Sequence, residues 1–311
     1  MSRTRTLIAT LRDRLGSGAP LPPPPPLTVV PAPPARVFAP RPSRGPSRFA
    51  ALAAQHTTAL VGIGRVGTRY ATDVVLQFQA ELAVAHEAVA GEMAPDWAER
   101  NGMMPLSSRV TSHREFLLRP DLGRRLDEPS LARLRAAALR AIDVQLILAD
   151  GLSAVACVGG GLALLEALER ACADRGLRVG SRLCARFARV WLEDEIGQEV
   201  EARVAIILLG ERPGLGTGDG LSAYLVYDPR RGKTDGDRNM MSNIHPRGTP
   251  AAEAAPRLAA LAATMIAQRT SGVGLDLSAV DGASGGVVTG YRAPQLRQRL
   301  VERGVAAGGG R

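Results

Sequence analysis

Short, almost uninterrupted apolar segments in the second half of the chain restrict its fold most strongly. Val204–Leu209 is entirely apolar, and Val144–Ala149 is nearly so. Runs of this length without polar alternation are typical of strands that are buried on both faces, as in a parallel sheet. A helical pattern, Leu162–Cys172, lies between them and ends near Gly176, which suits a helix C-cap. Strands that alternate with helices predict an α/β fold with a mostly parallel sheet.

The rest of this region continues the alternation. Leu183–Leu192 and Leu221–Tyr227 are strand-like. Thr249-Pro250 opens a last helix, because a capping residue is followed by proline at the first helical position. We expect that helix to reach Gly272, with a kink at Pro256. Residues 141–275 are thus predicted to form an α/β domain.

The preceding residues, 49–140, are helical in character. Asp73–Met93 forms one long amphipathic stretch, whose apolar residues at helical spacing are Val74, Phe78, Leu82 and Val89. Ser130 is a candidate N-cap for a second helix, which would contain Leu131, Leu134 and Leu139. We therefore expect a small helical domain before the sheet domain.

Both ends of the chain have the composition of tails. Residues 20–46 contain 12 of the 22 prolines, which predicts an extended linker. In front of it, Ile8, Leu11 and Leu15 fall on one face of a short helix among arginines. This segment is either a docking helix on a tether or a disordered arginine-rich tail. Residues 1–48 and 276–311 are accordingly predicted to lie outside the folded domains, as disordered tails.

The net charge of +9 lies almost entirely in these tails. Residues 1–48 carry +7 and residues 276–311 carry +2, which leaves residues 49–275 neutral. A duplex-binding domain concentrates positive charge on its folded face, so the charge distribution argues against a nucleic-acid partner. No apolar stretch reaches the roughly 18 residues of a membrane-spanning helix. We expect an intracellular protein without a membrane partner.

The cysteines predict neither a disulfide framework nor a metal site. Cys157, Cys172 and Cys184 are odd in number and widely spaced, and none belongs to a Cys/His cluster. Buried free thiols are the favoured interpretation.

Two sequence motifs resemble signatures of functional sites but lack features that those sites require. Gly62–Gly67 has the form GxGxxG, but the strand candidate before it, Ala59–Val61, is very short. A tight turn that leads into the long helix is favoured over a dinucleotide site. Gly151-Leu152-Ser153 begins like a hydrolase nucleophile elbow, but Val155 stands where the second glycine is required, so a structural serine is favoured.

Glycine-rich loops follow the two buried strands. They are Asp150–Ser153 and Gly210–Gly216. Open α/β sheets bind ligands at the carboxyl ends of parallel strands, so a binding face here is plausible. Glu211 and Arg212 would pair with each other or with a polar ligand, and an ordinary surface turn fits the pattern equally well. The residues alone do not identify a ligand.

Several blocks, taken in order, resemble the light chain of ethanolamine ammonia-lyase. The resemblance covers about residues 57–275 and leaves out both tails. It implies a small helical domain, a Rossmann-like domain, and the small subunit of a lyase that converts ethanolamine to acetaldehyde and ammonia with adenosylcobalamin. The blocks are Arg119–Leu126, Asp143–Gln145, Ala149–Ser153, Ala188–Val190, Glu193–Gly197, Leu209–Leu215, Ala223–Pro229, Asp237–Arg238 and Ser242–Ile244.

The resemblance also implies a division of labour between two subunits. The large subunit would hold the substrate and the catalytic residues, while the small subunit contacts the cofactor between the chains and is inactive alone. The matching cofactor-contacting positions are Val190, Glu211 and Met240, with no catalytic residue and no metal ligand in this chain. The family usually has a cysteine at position 240. Methionine preserves a packing contact there but not a thiol-specific role.

Related chains use an N-terminal extension to enter a protein-shelled bacterial microcompartment. Localisation in a microcompartment of the ethanolamine-utilisation type, with shell or cargo proteins as further partners, is therefore a hypothesis that rests on the amphipathicity and composition of the tail, and the alternative is the cytoplasm. Two other functions stay open at this stage. One is a free-standing Rossmann-like protein that binds a nucleotide-like ligand, and the other is a scaffolding component that makes no cobalamin contact.

Overall fold

The computed structural model describes residues 48–53, 61–63, 65–215, 218–246 and 248–278. The strands are β1 (Met104–Ser107), β2 (Val144–Ala149), β3 (Leu183–Arg186), β4 (Val204–Gly210), β5 (Leu221–Tyr227) and β6 (Arg238–Ile244). The α-helices are α1 (Arg48–Ala53), α2 (Thr72–Ala90), α3 (Trp97–Arg100), α4 (His113–Leu118), α5 (Glu128–Ala137), α6 (Ala154–Ala156), α7 (Leu162–Ala173), α8 (Leu192–Glu199) and α9 (Ala251–Gln268). A π-helical segment, Cys157–Gly161, joins α6 to α7.

All six strands form one mixed sheet in the order β1-β3-β2-β4-β5-β6. The first four strands run parallel, whereas β5 and β6 are antiparallel to their neighbours. The connection from β4 to β5, residues 211–220, is too short for the crossover that a parallel partner needs, so the chain returns as a hairpin. The prediction of an α/β fold is confirmed, and the sheet is mixed.

Helices cover the two faces of the sheet and divide the core into two clusters. Successive strand residues point to opposite faces. Leu148 and Leu208 therefore face α7 and α9, while Ile147 and Ile207 face α5 and α8. All of β2 and β4 is buried, which explains their continuous apolar sequence.

The predicted N-cap of the second helix is wrong by three residues. The Asp127 carboxylate accepts a hydrogen bond from the backbone N–H of Ser130 at 2.8 Å, and α5 begins at Glu128. Ser130 is instead a buried residue of the first turn, whose hydroxyl oxygen accepts the N–H of Ser107 at 2.8 Å.

Three further boundaries differ from the predictions. β1 lies within the range predicted to be helical and pairs with β3. The strand predicted over Leu183–Leu192 ends at Arg186, because Phe187 adopts a left-handed conformation with φ 53°. α9 ends at Gln268 because Arg269 is left-handed, with φ 56°. The division into two domains stays a prediction.

The predicted long helix is confirmed as α2, but its packing differs. Val74 is buried as expected, whereas Leu82 is exposed and the other buried positions are Ala85 and Ala88. Before the helix, Val66 bridges Arg69 in a tight turn, as predicted. Gly64 and nearly all of both predicted tails lie outside the described residues.

The three cysteines are free and buried, as predicted. Among the described residues, no helix combines the length and apolarity that crossing a membrane requires.

The backbones at the carboxyl ends of β2 and β4 are in direct contact. The N–H of Leu152 donates to the carbonyl oxygen of Gly210 at 2.9 Å. Gly151 has φ 54°, and a Cβ there would collide with the Gly210 carbonyl oxygen and lie 2.8 Å from Leu209 Cγ. Only glycine satisfies both the left-handed backbone and the close approach.

We predict that Gly151→Ala lowers the free energy of unfolding by about 3 kcal/mol, from backbone strain together with overpacking. Gly176→Ala is the matched control, because Gly176 has φ 70° but nothing within 4 Å of a built Cβ. Backbone strain alone predicts a loss of about 1 kcal/mol there. Urea denaturation of the two variants measures the difference, and equal losses would disprove the role of the close approach.

Candidate functional site

A cleft lies on the antiparallel side of the sheet. Its volume is about 290 Å³, and it opens on the same face as α8. Strands β5 and β6 form its floor, and the chain that follows β4 forms one wall. The lining residues are Glu211, Arg212, Gly220, Leu221, Ser222, Tyr224, Met240, Ser242, Asn243 and His245.

Two of the three predicted cofactor-contacting residues line this cleft. Glu211 follows β4 directly, and Met240 lies on β6 opposite Tyr224 in the register. Val190 is not among the lining residues. It is half-buried and packs against the same core cluster that Tyr224 contacts.

Glu211 is held by Tyr224. The tyrosine hydroxyl donates to Glu211 Oε1 at 3.1 Å, and the backbone N–H of Glu211 donates to the Gly220 carbonyl oxygen at 3.0 Å. Burial, together with the Glu211 carboxylate, raises the pKa of Tyr224 to about 12. Tyr224 therefore stays protonated and keeps its role as a donor. Within the described part of the chain, Glu211 forms no ion pair with Arg212.

The rest of the lining combines neutral polar groups with an apolar wall. Ser222 is fully buried, and its Oγ makes no hydrogen bond of acceptable geometry among the described residues. Asn243 adopts a left-handed conformation, and its Oδ1 lies 2.6 Å from His245 Nε2. Met240 is about half exposed and presents an apolar surface to the cleft. Such a lining offers hydrogen bonds and apolar contact to the same ligand.

Sequence reasoning did not assign a site role to Ser222, Tyr224 or Asn243. The signal for the first two is their position two residues apart on a strand, which places both side chains on one face. This alternation indicates a cleft only when the neighbouring strand β6 completes its floor, and β6 was not predicted.

A buried charge cluster lies beside the cleft, two positions along β6 from Met240. Arg238 donates to Glu193 Oε1 at 2.7 Å and to the two Asp194 oxygens at 2.9 and 2.7 Å. All three side chains are at most 5% exposed. Burial, only partly offset by Arg238, raises the pKa of Glu193 to about 8. At neutral pH the cluster is therefore mainly an Arg238–Asp194 ion pair with a protonated Glu193.

The loop at the end of β2 uses its polar groups internally. The buried Asp150 carboxylate accepts the N–H groups of Phe187 at 2.8 Å and Ala188 at 3.2 Å. The Ser153 hydroxyl caps α6 and donates to the Gly218 carbonyl oxygen at 3.0 Å. These groups hold neighbouring loops together. The structural interpretation of Ser153 is confirmed, and the polar groups available to a ligand lie at the β4–β6 side instead.

These features define an α/β chain with an open cleft, at the place where its sheet changes from parallel to antiparallel pairing. A family model described as ethanolamine ammonia-lyase light chain (EutC) matches residues 48–276. This match spans most of the chain, so the chain belongs to the ethanolamine ammonia-lyase light chain family. It is thus a subunit of a carbon–nitrogen lyase, and a light chain implies a large-subunit partner.

We predict that Glu193→Gln flattens the fall of stability with pH. Because the folded-state pKa of Glu193 is raised from 4.5 to about 8, the folded protein binds more protons than the unfolded chain in this range. The free energy of unfolding therefore falls as pH rises towards 8. Glutamine keeps the oxygen that accepts from Arg238 but does not ionise.

The comparison is best made by urea denaturation between pH 6 and pH 8. Burial also raises the pKa of Asp150, to about 6. Most of its effect on the pH dependence of the free energy of unfolding therefore falls below this range. If the free energies of unfolding of the wild type and of Glu193→Gln changed in parallel with pH, the raised pKa of Glu193 would be disproved.

Proposed function

We propose that this chain is the cofactor-contacting small subunit of an adenosylcobalamin-dependent ethanolamine ammonia-lyase. The complete enzyme converts ethanolamine to acetaldehyde and ammonia, and the chain is inactive without its large subunit. The observation that carries the proposal is that Glu211 and Met240, both predicted as cofactor contacts from the family resemblance, line one cleft. Family membership supports it, because the enzyme family is cobalamin-dependent.

The chemistry of the cleft fits a corrin with its fringe of primary amides. Amides need both donors and acceptors, and the cleft offers the exposed side chains of Ser242 and Asn243 and the Glu211 carboxylate. A carboxylate has several acceptor positions, so Glu211 can accept from Tyr224 and from a ligand amide together. Met240 and Leu221 supply apolar contact for the ring. Adenosylcobalamin supplies radical chemistry when it is bound.

The size of the cleft supports a site shared with a partner. A complete small-molecule pocket has a volume of roughly 300–1,000 Å³ and buries most of its ligand. At about 290 Å³, this cleft covers only part of a ligand as large as cobalamin. A second subunit is therefore required to exclude water from the reacting groups.

We predict that Glu211→Ala raises the Kd for adenosylcobalamin of the two-subunit enzyme about tenfold, through the loss of a charge-assisted hydrogen bond. Glu166→Ala is the matched control, because Glu166 lies on α7, against the opposite face of the sheet. Cofactor titration of the co-expressed subunits measures both. Equal affinities of the two variants would rule out a cofactor contact at Glu211.

The same titration tests the contact proposed for Met240. Met240→Leu and Met240→Cys are expected to retain cofactor affinity within a few-fold, because they remain apolar or weakly polar. Met240→Asp places a charge against the ring and is expected to weaken binding strongly. Val190 is proposed as a contact by family resemblance alone. If the two subunits associate but do not release acetaldehyde from ethanolamine, the partnership stands and the substrate is wrong.

We further propose that residues 1–46 direct the enzyme into a bacterial microcompartment. The proposal rests on the apolar positions Ile8, Leu11 and Leu15 and on the proline-rich stretch after them. Deletion of residues 1–46 is expected to abolish co-localisation with shell proteins while the activity of the two-subunit enzyme is retained. Unchanged co-localisation of the deletion variant would contradict the proposal.

A further inference from the structure

The backbone of Glu211 is fixed, but the backbone alone does not orient its long side chain. The N–H of Glu211 donates to the Gly220 carbonyl oxygen at 3.0 Å, and the preceding Gly210 pairs with Leu221 at the end of β4. Several rotatable bonds still separate the carboxylate from this anchor. A side chain that has to be ordered when a ligand binds lowers the affinity for that ligand. The value of Glu211 as a ligand contact therefore depends on whether another group already holds its carboxylate.

Tyr224 holds this carboxylate. Its hydroxyl donates to Glu211 Oε1 at 3.1 Å. Within the described part of the chain, no second side chain forms a hydrogen bond or an ion pair with the Glu211 carboxylate. The orientation of the carboxylate therefore rests on this one contact.

The sheet makes Tyr224 a rigid donor. Tyr224 lies on β5, opposite Ile207 of β4 on one side and Met240 of β6 on the other, and it packs against the core cluster on the α8 face. Because its pKa is raised to about 12, the hydroxyl keeps its proton at neutral pH and remains a donor. A donor whose place is set by three paired strands also sets the place of the carboxylate that accepts from it.

The same hydrogen bond limits which ligand groups Glu211 can receive. One carboxylate oxygen is engaged by Tyr224, and a carboxylate has no proton of its own to donate. Its remaining acceptor positions can therefore take only a hydrogen-bond donor from the ligand, such as the N–H of an amide.

We infer that Tyr224 is a positioning residue for cofactor binding, because its hydroxyl orders the Glu211 carboxylate to accept from an N–H donor of the ligand. This inference rests on the proposed function, in which Glu211 contacts adenosylcobalamin. A side chain that is ordered in advance raises affinity without adding a contact. Since Tyr224 acts through Glu211, its contribution to affinity disappears when the Glu211 carboxylate is removed.

The experiment is a double-mutant cycle on cofactor affinity. Adenosylcobalamin is titrated spectroscopically into light-chain variants that are co-expressed with the large subunit. Tyr224→Phe keeps the ring and removes only the hydroxyl, and it is expected to raise the Kd about fivefold, the effect of ordering one long side chain. In the Glu211→Ala background, the same substitution is expected to leave the Kd unchanged, because no carboxylate remains to be held.

Tyr227→Phe is the matched control. Tyr227 is half-buried on the same strand, but it packs against the core cluster on the opposite face of the sheet. It is expected to leave the Kd unchanged. A merely structural effect of Tyr224→Phe on β5 would raise the Kd by the same factor with and without Glu211, so the cycle separates a structural role from a positioning role.

An unchanged Kd for Tyr224→Phe, or the same increase in both Glu211 backgrounds, would overturn the inference. An equal increase for Tyr227→Phe would also overturn it, because the effect would then come from the strand as a whole.

Failure of the cofactor contact gives a different result. If Glu211→Ala binds adenosylcobalamin as tightly as the wild type, the proposed contact is wrong and the positioning role is wrong with it. If Glu211→Ala binds weakly while Tyr224→Phe binds normally, the contact stands and only the role of Tyr224 is wrong.

Discussion

Strand β4 joins the parallel half of the sheet to the antiparallel half. This strand pairs in parallel with β2 and antiparallel with β5, and all seven of its residues are buried. Because the chain reverses after Gly210, β5 and β6 extend the sheet without the crossover helix that a parallel strand would bring. Beside them, α8 reaches Arg238 at one end of β6, while Met240 and Ser242 stay open to the cleft. The change of pairing direction at β4 therefore creates the candidate site.

The Arg238 cluster determines where that opening begins. It joins α8 to β6 across 44 and 45 residues of sequence, without a disulfide or a metal. Burying an ion costs several kcal/mol, and a bidentate partner offsets much of that cost only when the geometry is good. Protonation of Glu193 removes one of the three charges and so lowers the cost of the cluster. We interpret the cluster as a device that fixes the position of α8 rather than as a source of net stability.

The sequence predictions succeeded for strands whose buried residues are apolar and failed for elements that carry many polar residues. β2 and β4 were predictable because both of their faces are apolar, so their sequence alone indicates their environment. The edge strand β6 was missed because four of its seven residues are polar or charged, and α8 was missed because Glu193, Asp194 and Glu195 are typical of a solvated surface. Those acids are buried only because partners distant in sequence reach them, such as Arg238 and the N–H of Leu126. Contacts of that range are invisible in a local pattern, and Tyr224 escaped notice for the same reason.

The distribution of polar groups supports the proposal that a second subunit completes the site. At the carboxyl ends of the parallel strands, where open sheets usually bind ligands, Asp150 and Ser153 are already engaged with backbone groups. The polar groups that remain available lie on β5 and β6 and directly after β4, where no helix of the described part of the chain covers the cleft. Such a surface can recognise one side of a ligand but cannot enclose it.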